Sequence, residues 1–294
     1  MIVVTAPTGD IGRQVLAMLL AGGEPIRVVA RDPAKLPAEV RGRIEVVEGS
    51  HADGNVCRRA FEGADAVFWL VPGDPAAASA EAAYVDFARP GCDALRESDV
   101  KRVVGISALG RGWPGEAGHV TATLRMDDMI AETGVAYRAL ACASLMENIL
   151  RQVAPIRDQG TFYWPASPNL RLPHVATRDV AAVAVKLLTD TSWSGVEEVP
   201  MLGPDDLSFE AMARTMADVL GKPVAVREMS MEDMRGMMTN RGASAGMAQA
   251  MVDMLTAKNE GLDGMVARGE ADRERTPTTF RQWCETKLRP AVAG

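Results

Sequence analysis

Residues 1–12 read M-I-V-V-T-A-P-T-G-D-I-G, and the fold is decided there. Ile2, Val3 and Val4 form an unbroken β-branched run, the composition of a strand buried on both faces. The run stops at a turn of small residues. Ile11, Val15, Leu19 and Leu20 then recur at helical spacing, so the segment reads strand, tight turn, helix, the first half of a βαβ unit. A helix starting there presents free backbone N–H groups and a positive dipole end. Both suit a pyrophosphate, provided the residues are small enough to let it approach. Thr8, Gly9, Asp10, Ile11 and Gly12 are the candidates to meet it.

The spacing is A-x-x-G-x-x-G, with Ala6, Gly9 and Gly12. Glycine in the first slot usually permits the tight turn; Ala6 narrows the allowed backbone but adds only one methyl group. The triplet also fits a glycine-rich turn in any α/β protein, and its place after a strand and before a helix is what makes it a dinucleotide-binding signal. Residues 26–30, I-R-V-V-A, predict the second strand, followed by Arg31-Asp32-Pro33-Ala34-Lys35. An acidic residue about 20 positions past the glycines would take the ribose hydroxyls of NAD. Here Arg31 comes first. Its guanidinium suits a 2′-phosphate through a bidentate, charge-assisted contact, and Lys35 adds a second positive charge. NADP(H) is therefore favoured over NAD(H). The alternative is that Arg31 caps the strand in solvent while Asp32 takes the ribose.

A chain of 294 residues suffices for one large α/β domain, or a main domain with a smaller lobe. The net charge of −7 argues against nucleic acid or an anionic membrane as the main partner. No apolar run approaches the roughly 18 residues needed to span a bilayer. The first residues read as a strand rather than a basic leader, so a cytoplasmic protein is expected. Cys57, Cys92, Cys142 and Cys284 are widely separated, without metal-ligand spacing, and read as ordinary thiols. Neither a structural metal nor a disulfide is expected.

Strand and helix signals alternate as a parallel sheet requires. Residues 43–48 predict a third strand, 53–61 a helix and 66–71 a fourth strand, broken by Pro72-Gly73-Asp74-Pro75 at the edge where ligands sit in open α/β sheets. Val71 and Pro72 should line the cofactor. An Ala-rich helix over 76–98 precedes a fifth strand over 102–106, which ends at Ser107, beside the nicotinamide in related folds. Residues 126–133 belong to a helix and 135–140 to a sixth strand. The fold class is thus α/β, a Rossmann-type doubly wound parallel sheet with right-handed crossovers. Beyond Ala141 the alternation stops. Residues 162–174 look like a loop or hairpin, 178–189 a helix packing back on the sheet, 198–202 a short strand, and 224–228 a last strand. Ser208 is a candidate N-cap for a helix to Leu220. The Met-dense region 229–265 suits a pliable wall over an apolar ligand, or ordinary helix-face packing.

These motifs resemble the NmrA-like branch of the atypical short-chain dehydrogenases/reductases. The pattern V-T-A-P-T-G-D-I-G, then V-V-A-R-D-P-A-K-L, carries the resemblance. It continues through A-D-A-V-F-W-L-V-P (64–72), K-R-V-V-G-I-S-A-L-G (101–110), L-M-E-N (145–148), T-R-D-V-A (177–181), L-G-P-D-D-L-S-F (202–209) and L-G-K-P-V (220–224). The resemblance implies an NADPH-binding Rossmann domain, here residues 1–141 with 175–203 packing back onto it, and a small α+β substrate lobe made mainly of 142–294. It also implies quinone or dye reduction, or redox sensing.

The chain departs from the family at the chemistry. No Y-x-x-x-K pair occurs: Tyr84, Tyr137 and Tyr163 are followed four residues on by Ala88, Ala141 and Ser167. That pair would protonate a carbonyl oxygen and hold the ribose. Where NmrA-like reductases often carry a lone Lys four residues before an acid, this chain has Thr123 and Asp127; the nearby Arg125 is a poor proton donor. The family's L-R-P is Leu140-Ala141-Cys142, and a G-D pair near the adenine is replaced in Gly49-Ser50-His51. His51 and His119 are each candidates for acid/base work, His119 the better placed, or else plain surface histidines. The catalytic candidates are thus His119 and Thr123, and the general acid is unidentified.

Three functions fit. The first is an NADPH-dependent oxidoreductase that passes hydride to a conjugated or quinonoid, apolar or aromatic small molecule, whose π system spreads the developing charge. The second is an NADP(H)-sensing regulator without chemistry. The third is a non-redox isomerase or cyclase on the same fold. The oligomeric state stays open.

Overall fold

A computed structural model describes residues 1–294. Seven parallel strands form the central sheet in the order β10-β6-β5-β4-β1-β2-β3. They are β1 (Ile2–Thr5), β2 (Ile26–Ala30), β3 (Glu45–Glu48), β4 (Ala66–Trp69), β5 (Arg102–Ala108), β6 (Ala136–Cys142) and β10 (Val196–Met201). The chain moves outward from β1 through β2 to β3, then returns to β4 on the other side of β1. The strand order reverses between β1 and β4, and a crevice opens at such a switch point outside the strands' carboxyl ends.

The β-branched run of β1 splits between two layers. Ile2 and Val4 pack with Val15, Leu19, Val180 and Ala184, from helices α1 (Asp10–Gly22) and α7 (Thr177–Thr189). Val3 packs on the opposite face with Val67, Trp69, Phe61 and Cys92. That layer is built by α3 (Gly54–Phe61), α4 (Phe87–Arg96) and α5 (His119–Ala131). A four-residue helix, α2 (Ala38–Arg41), precedes β3, which is shorter than the sequence suggests. As the edge strand, β3 is only half-buried on each face, Val46 packing on one layer and Val47 on the other, between exposed Glu45 and Glu48.

The predicted helix over 76–98 is shorter and interrupted. A π turn, Ala82–Asp86, leads directly into α4. Pro90 lies inside α4, with no N–H for the Asp86 carbonyl and a ring that crowds it, so the widened turn falls just before the proline.

After Ala141 the structure departs from expectation. Residues 162–174 are not a hairpin: β8 (Thr161–Trp164) pairs in parallel with β12 (Ala225–Glu228). In another small sheet β9 (Arg171–Val175) pairs with β7 (Ser144–Leu145) and β11 (Asp206–Ser208). The prolines and aromatic residues there do not mark a turn. Phe162 is a core residue, buried with Phe209, Met212, Met216 and Trp283 in a separate cluster. Helices α6 (Val153–Gln159) and α8 (Phe209–Leu220) flank these strands; Ser208 caps α8, accepting from the Ala211 N–H at 3.1 Å. The Met-dense stretch folds as α9 (Met231–Asn240) and α10 (Ala245–Asn259). Met247 is buried and Met254 packs on the main core, while the methionines of α9 stay half-buried. No helix is long and apolar enough to cross a membrane.

Candidate cofactor and reaction site

The loop after β1 is closed by its own backbone, Gly9 N–H donating to the Ala6 carbonyl at 3.1 Å. Ala6 sits at φ 47°, the one non-glycine residue in the left-handed region. The alanine in the first slot therefore adopts the backbone a glycine would have taken. A Cβ on Gly12 would overlap the Ala6 carbonyl oxygen, so glycine is required for α1 to start this close to β1. Gly9 is the N-cap without a side-chain cap, which leaves the first N–H groups of α1 free for an anion. Thr8 is exposed with no partner, Ile11 is buried in the core, and Asp10 is turned to Arg13 at 2.9 Å. The cradle thus offers free backbone donors and a positive helix end to an anion, with no side chain capping it.

Thr5 ties the two strands of the switch point together. Its hydroxyl donates to the Phe68 carbonyl at 3.0 Å and accepts from the Leu70 N–H at 2.9 Å. This side chain was not singled out from sequence; a threonine ending a buried strand was the available signal. Beside it, Val71 is half-buried and Pro72 exposed at the end of β4.

Arg31 and Lys35 are exposed beyond β2, and neither makes an ion pair or a side-chain hydrogen bond. Asp32 is otherwise engaged: its carboxylate accepts from the Ala34 N–H at 3.0 Å and caps the short 3₁₀ turn Pro33–Lys35. Two unpaired cations thus stand at the exposed end of β2.

At the other side of the crevice, Ser107 at the end of β5 is buried, and its hydroxyl donates to the Asp127 carboxylate. Tyr137 of β6 donates to the other carboxylate oxygen at 2.5 Å. Asp127 is 1% exposed without a cationic partner, and burial pushes its carboxyl up to about 7. Its direct links to Ser107 and to Tyr137 were not visible in the sequence, since they need β5, β6 and α5 packed together.

The histidine expectations need correction. His51 is buried against Trp69 and Phe87, one ring nitrogen 3.0 Å from the Leu70 carbonyl, and burial pushes its pKa down to about 4. It is neutral and enclosed at neutral pH, and no proton-transfer role remains for it. His119 is also buried rather than a surface histidine, its pKa lowered by burial, and neither ring nitrogen has a partner. Thr123 is buried with its hydroxyl on the His119 carbonyl at 2.8 Å. The four cysteines are buried single thiols, Cys57, Cys142 and Cys284 pushed up to about 12 and Cys92 to about 11 by burial. No group of three His, Cys, Asp or Glu is arranged to hold a metal ion.

Two other motif residues hold the elements around the site. Glu147, of L-M-E-N, accepts from the Thr177 N–H at 3.0 Å and the Trp283 indole at 3.2 Å. Asp179, of T-R-D-V-A, accepts twice from Thr278 at 2.8 and 2.7 Å.

A family model described as NAD(P)H-binding matches residues 7–191. The chain belongs to this NAD(P)H-binding family. Two relatives cover most of the chain. A (4-alkanoyl-5-oxo-2,5-dihydrofuran-3-yl)methyl phosphate reductase of Streptomyces griseus subsp. griseus is 31% identical over 80% of this chain and 79% of its own. An NAD(P)H azoreductase of Xenophilus azovorans is 28% identical over 86% of both. The crystal structure of the Citrobacter sp. triphenylmethane reductase complexed with NADP(H) covers 99% of this chain and 98% of its own, with a TM-score of 0.77 at 18% identity, a likeness of fold.

Proposed function

We propose that this chain is an NADPH-dependent reductase that passes hydride directly to a conjugated or aromatic small molecule. The observation that carries it is the joint placement of the Gly9–Gly12 cradle and the unpaired Arg31 and Lys35 on one edge of the sheet. The two relatives above are both reductases of small molecules, one of them of azo compounds, which supports the reading. Thr8 to Gly12 would hold the pyrophosphate, Arg31 and Lys35 the 2′-phosphate, and Val71, Pro72 and the end of β5 at Ser107 would flank the nicotinamide. Bound NADPH supplies the hydride. The protein's part is to exclude water and fix the acceptor's distance and angle, which alone supplies a large share of the acceleration.

Residues 1–141 with the returning segment 175–203 act as the nucleotide-binding unit in this reading, and the Phe162–Phe209–Trp283 cluster as the core of the substrate lobe. We place the protein in the cytoplasm, where NADPH is supplied. A sensor without chemistry is the second reading, favoured by the commitment of Thr123 and His119 to the interior. NADPH consumption measured with azo dyes, quinones, enones and cationic dyes decides. Oxidation with any acceptor supports the reductase, and binding without oxidation on the whole panel supports the sensor.

A further inference from the structure

We propose that the Tyr84 hydroxyl is the proton donor to the acceptor, held in place by the buried ring of His119 and the π turn that carries it. This assignment rests on the reductase reading. At the β5 side of the crevice, the other polar side chains are committed to protein partners. Ser107 donates to Asp127, Thr123 to the His119 carbonyl, and the Cys142 thiol to the Leu140 carbonyl at 3.3 Å. Both His119 nitrogens are enclosed. Tyr84 differs: its ring is half-buried and its hydroxyl has no protein partner. The hydroxyl reaches the loop that follows β4, where a Cβ on Gly73 would lie 2.9 Å from it. Glycine at φ 46° keeps that approach open, at the sheet edge that Val71 and Pro72 line.

The chain has built this placement locally. Pro90 interrupts the helix ladder, the extra residue is taken up in the π turn Ala82–Asp86, and Tyr84 is its central residue. The ring then meets His119 edge to face, centroids 5.9 Å apart at 77°. From the other side, α10 closes on the same cluster, where Ala80, Ala83 and Ala122 pack with Met247 and Ala250 against Tyr84. Burial raises the pKa of the phenol, so it keeps its proton at neutral pH and is a donor there.

The electron pair of the departing hydride forms the new bond to the acceptor, which is reduced while NADPH is oxidised to NADP⁺. The negative charge left on the acceptor's nitrogen or oxygen takes the Tyr84 proton as the O–H bond breaks. The phenolate regains a proton from water, so one solvent proton is consumed per NADPH.

Two acceptors separate this role from a packing role. Hydride transfer to an azo dye leaves an anionic nitrogen that needs a proton; transfer to a cationic triphenylmethane dye neutralises a carbocation and needs none. In Tyr84→Phe, the ratio of azo-dye to cationic-dye kcat should fall by about 10²–10⁴-fold, the range of a positioned acid. The NADPH Kd, read by fluorescence without any acceptor, should stay within about twofold, because the phenol is not part of the nucleotide cradle. A common loss on both dyes, or an unchanged ratio, overturns the assignment and leaves the reductase reading standing. A native protein that reduces neither dye overturns the assignment, and one that binds NADPH but oxidises it with no acceptor of the whole panel overturns the reductase reading as well.

Discussion

Arg31 stands at the end of β2 without an ion pair, and Asp32, the residue that would compete for the ribose, accepts from the Ala34 N–H. Arg31→Ala should therefore weaken NADPH by about ten- to a hundredfold, the loss of one charge-assisted contact worth roughly 1.5–3 kcal/mol, and NADH far less. Titration with each nucleotide checks it, and equal weakening of both would sink the 2′-phosphate assignment. Asp127 is the other informative residue. Burial pushes its carboxyl up to about 7, well above an ordinary aspartate, and the two hydroxyls and the Arg111 charge offset only part of that. The native state thus favours the protonated form, and stability associated with it is full below about pH 4 and lost as pH rises through about 7. Asp127→Asn should accordingly be more stable than the native protein at pH 8, on the order of 2–4 kcal/mol from roughly three pKa units, with no gain near pH 4. Denaturant unfolding at the two pH values measures the difference.

At the scale of elements, the β1–α1 turn holds one backbone conflict. Ala6 lies at φ 47°, a region that costs an alanine roughly 1–2 kcal/mol, while a Cβ at Gly12 would strike the Ala6 carbonyl. Ala6→Gly should stabilise the protein by up to about 1 kcal/mol, once the added freedom of the unfolded chain is subtracted. Gly12→Ala should instead destabilise it and weaken NADPH, because the start of α1 must shift away from β1. Thermal melts with and without NADPH would show the two effects, and a silent Gly12→Ala would contradict the close approach. The elements legible from sequence were those whose signals are local. The β-branched β1, the glycine turn, the Arg31 cluster and the Ser208 cap all follow from residues near one another in the chain, whereas α5 begins seven residues before the 126–133 expected for it. The π turn at Tyr84 was hidden, since the effect of Pro90 depends on α4 continuing through it rather than stopping. Residues 162–174 read as a loop because β8 and β9 find their partners far along the chain, at β12 and β11. The Asp127 site needed a tyrosine from β6 as well as a serine from β5.

For the whole molecule, acid sensitivity follows from where the chain has put its histidines. All three are buried: His51, His119 and His174 are each depressed by burial, His51 and His174 to about 4. The unfolded chain takes up protons on them as pH falls through about 6.5 while the native state refuses them, so each contributes stability that is present above 6.5 and lost as pH falls, for His51 and His174 between there and about 4. Asp127 opposes this trend, for the native state keeps a proton that the unfolded chain releases near pH 4. At pH 5 the two histidines at about 4 bind two protons in the unfolded chain, against one held natively by Asp127. The balance is one proton in favour of unfolding, before His119 adds to it in the same direction. These groups alone therefore make stability rise with pH from about 5, by on the order of 1 kcal/mol per pH unit there, with the slope shrinking toward 6.5 as the unfolded histidines lose their protons. Above 6.5 the histidine slope fades while Asp127 still holds its native proton, so the curve turns over near neutrality and flattens once Asp127 ionises above about 7. Asp127→Asn removes the opposing proton, so its acid slope should be steeper than the native one by about 1.4 kcal/mol per pH unit. Unfolding free energies at half-unit steps from pH 5 to 8, at one ionic strength, test both slopes. A native curve that is flat or falls between 5 and 6.5 would contradict the burial of neutral histidines throughout this fold.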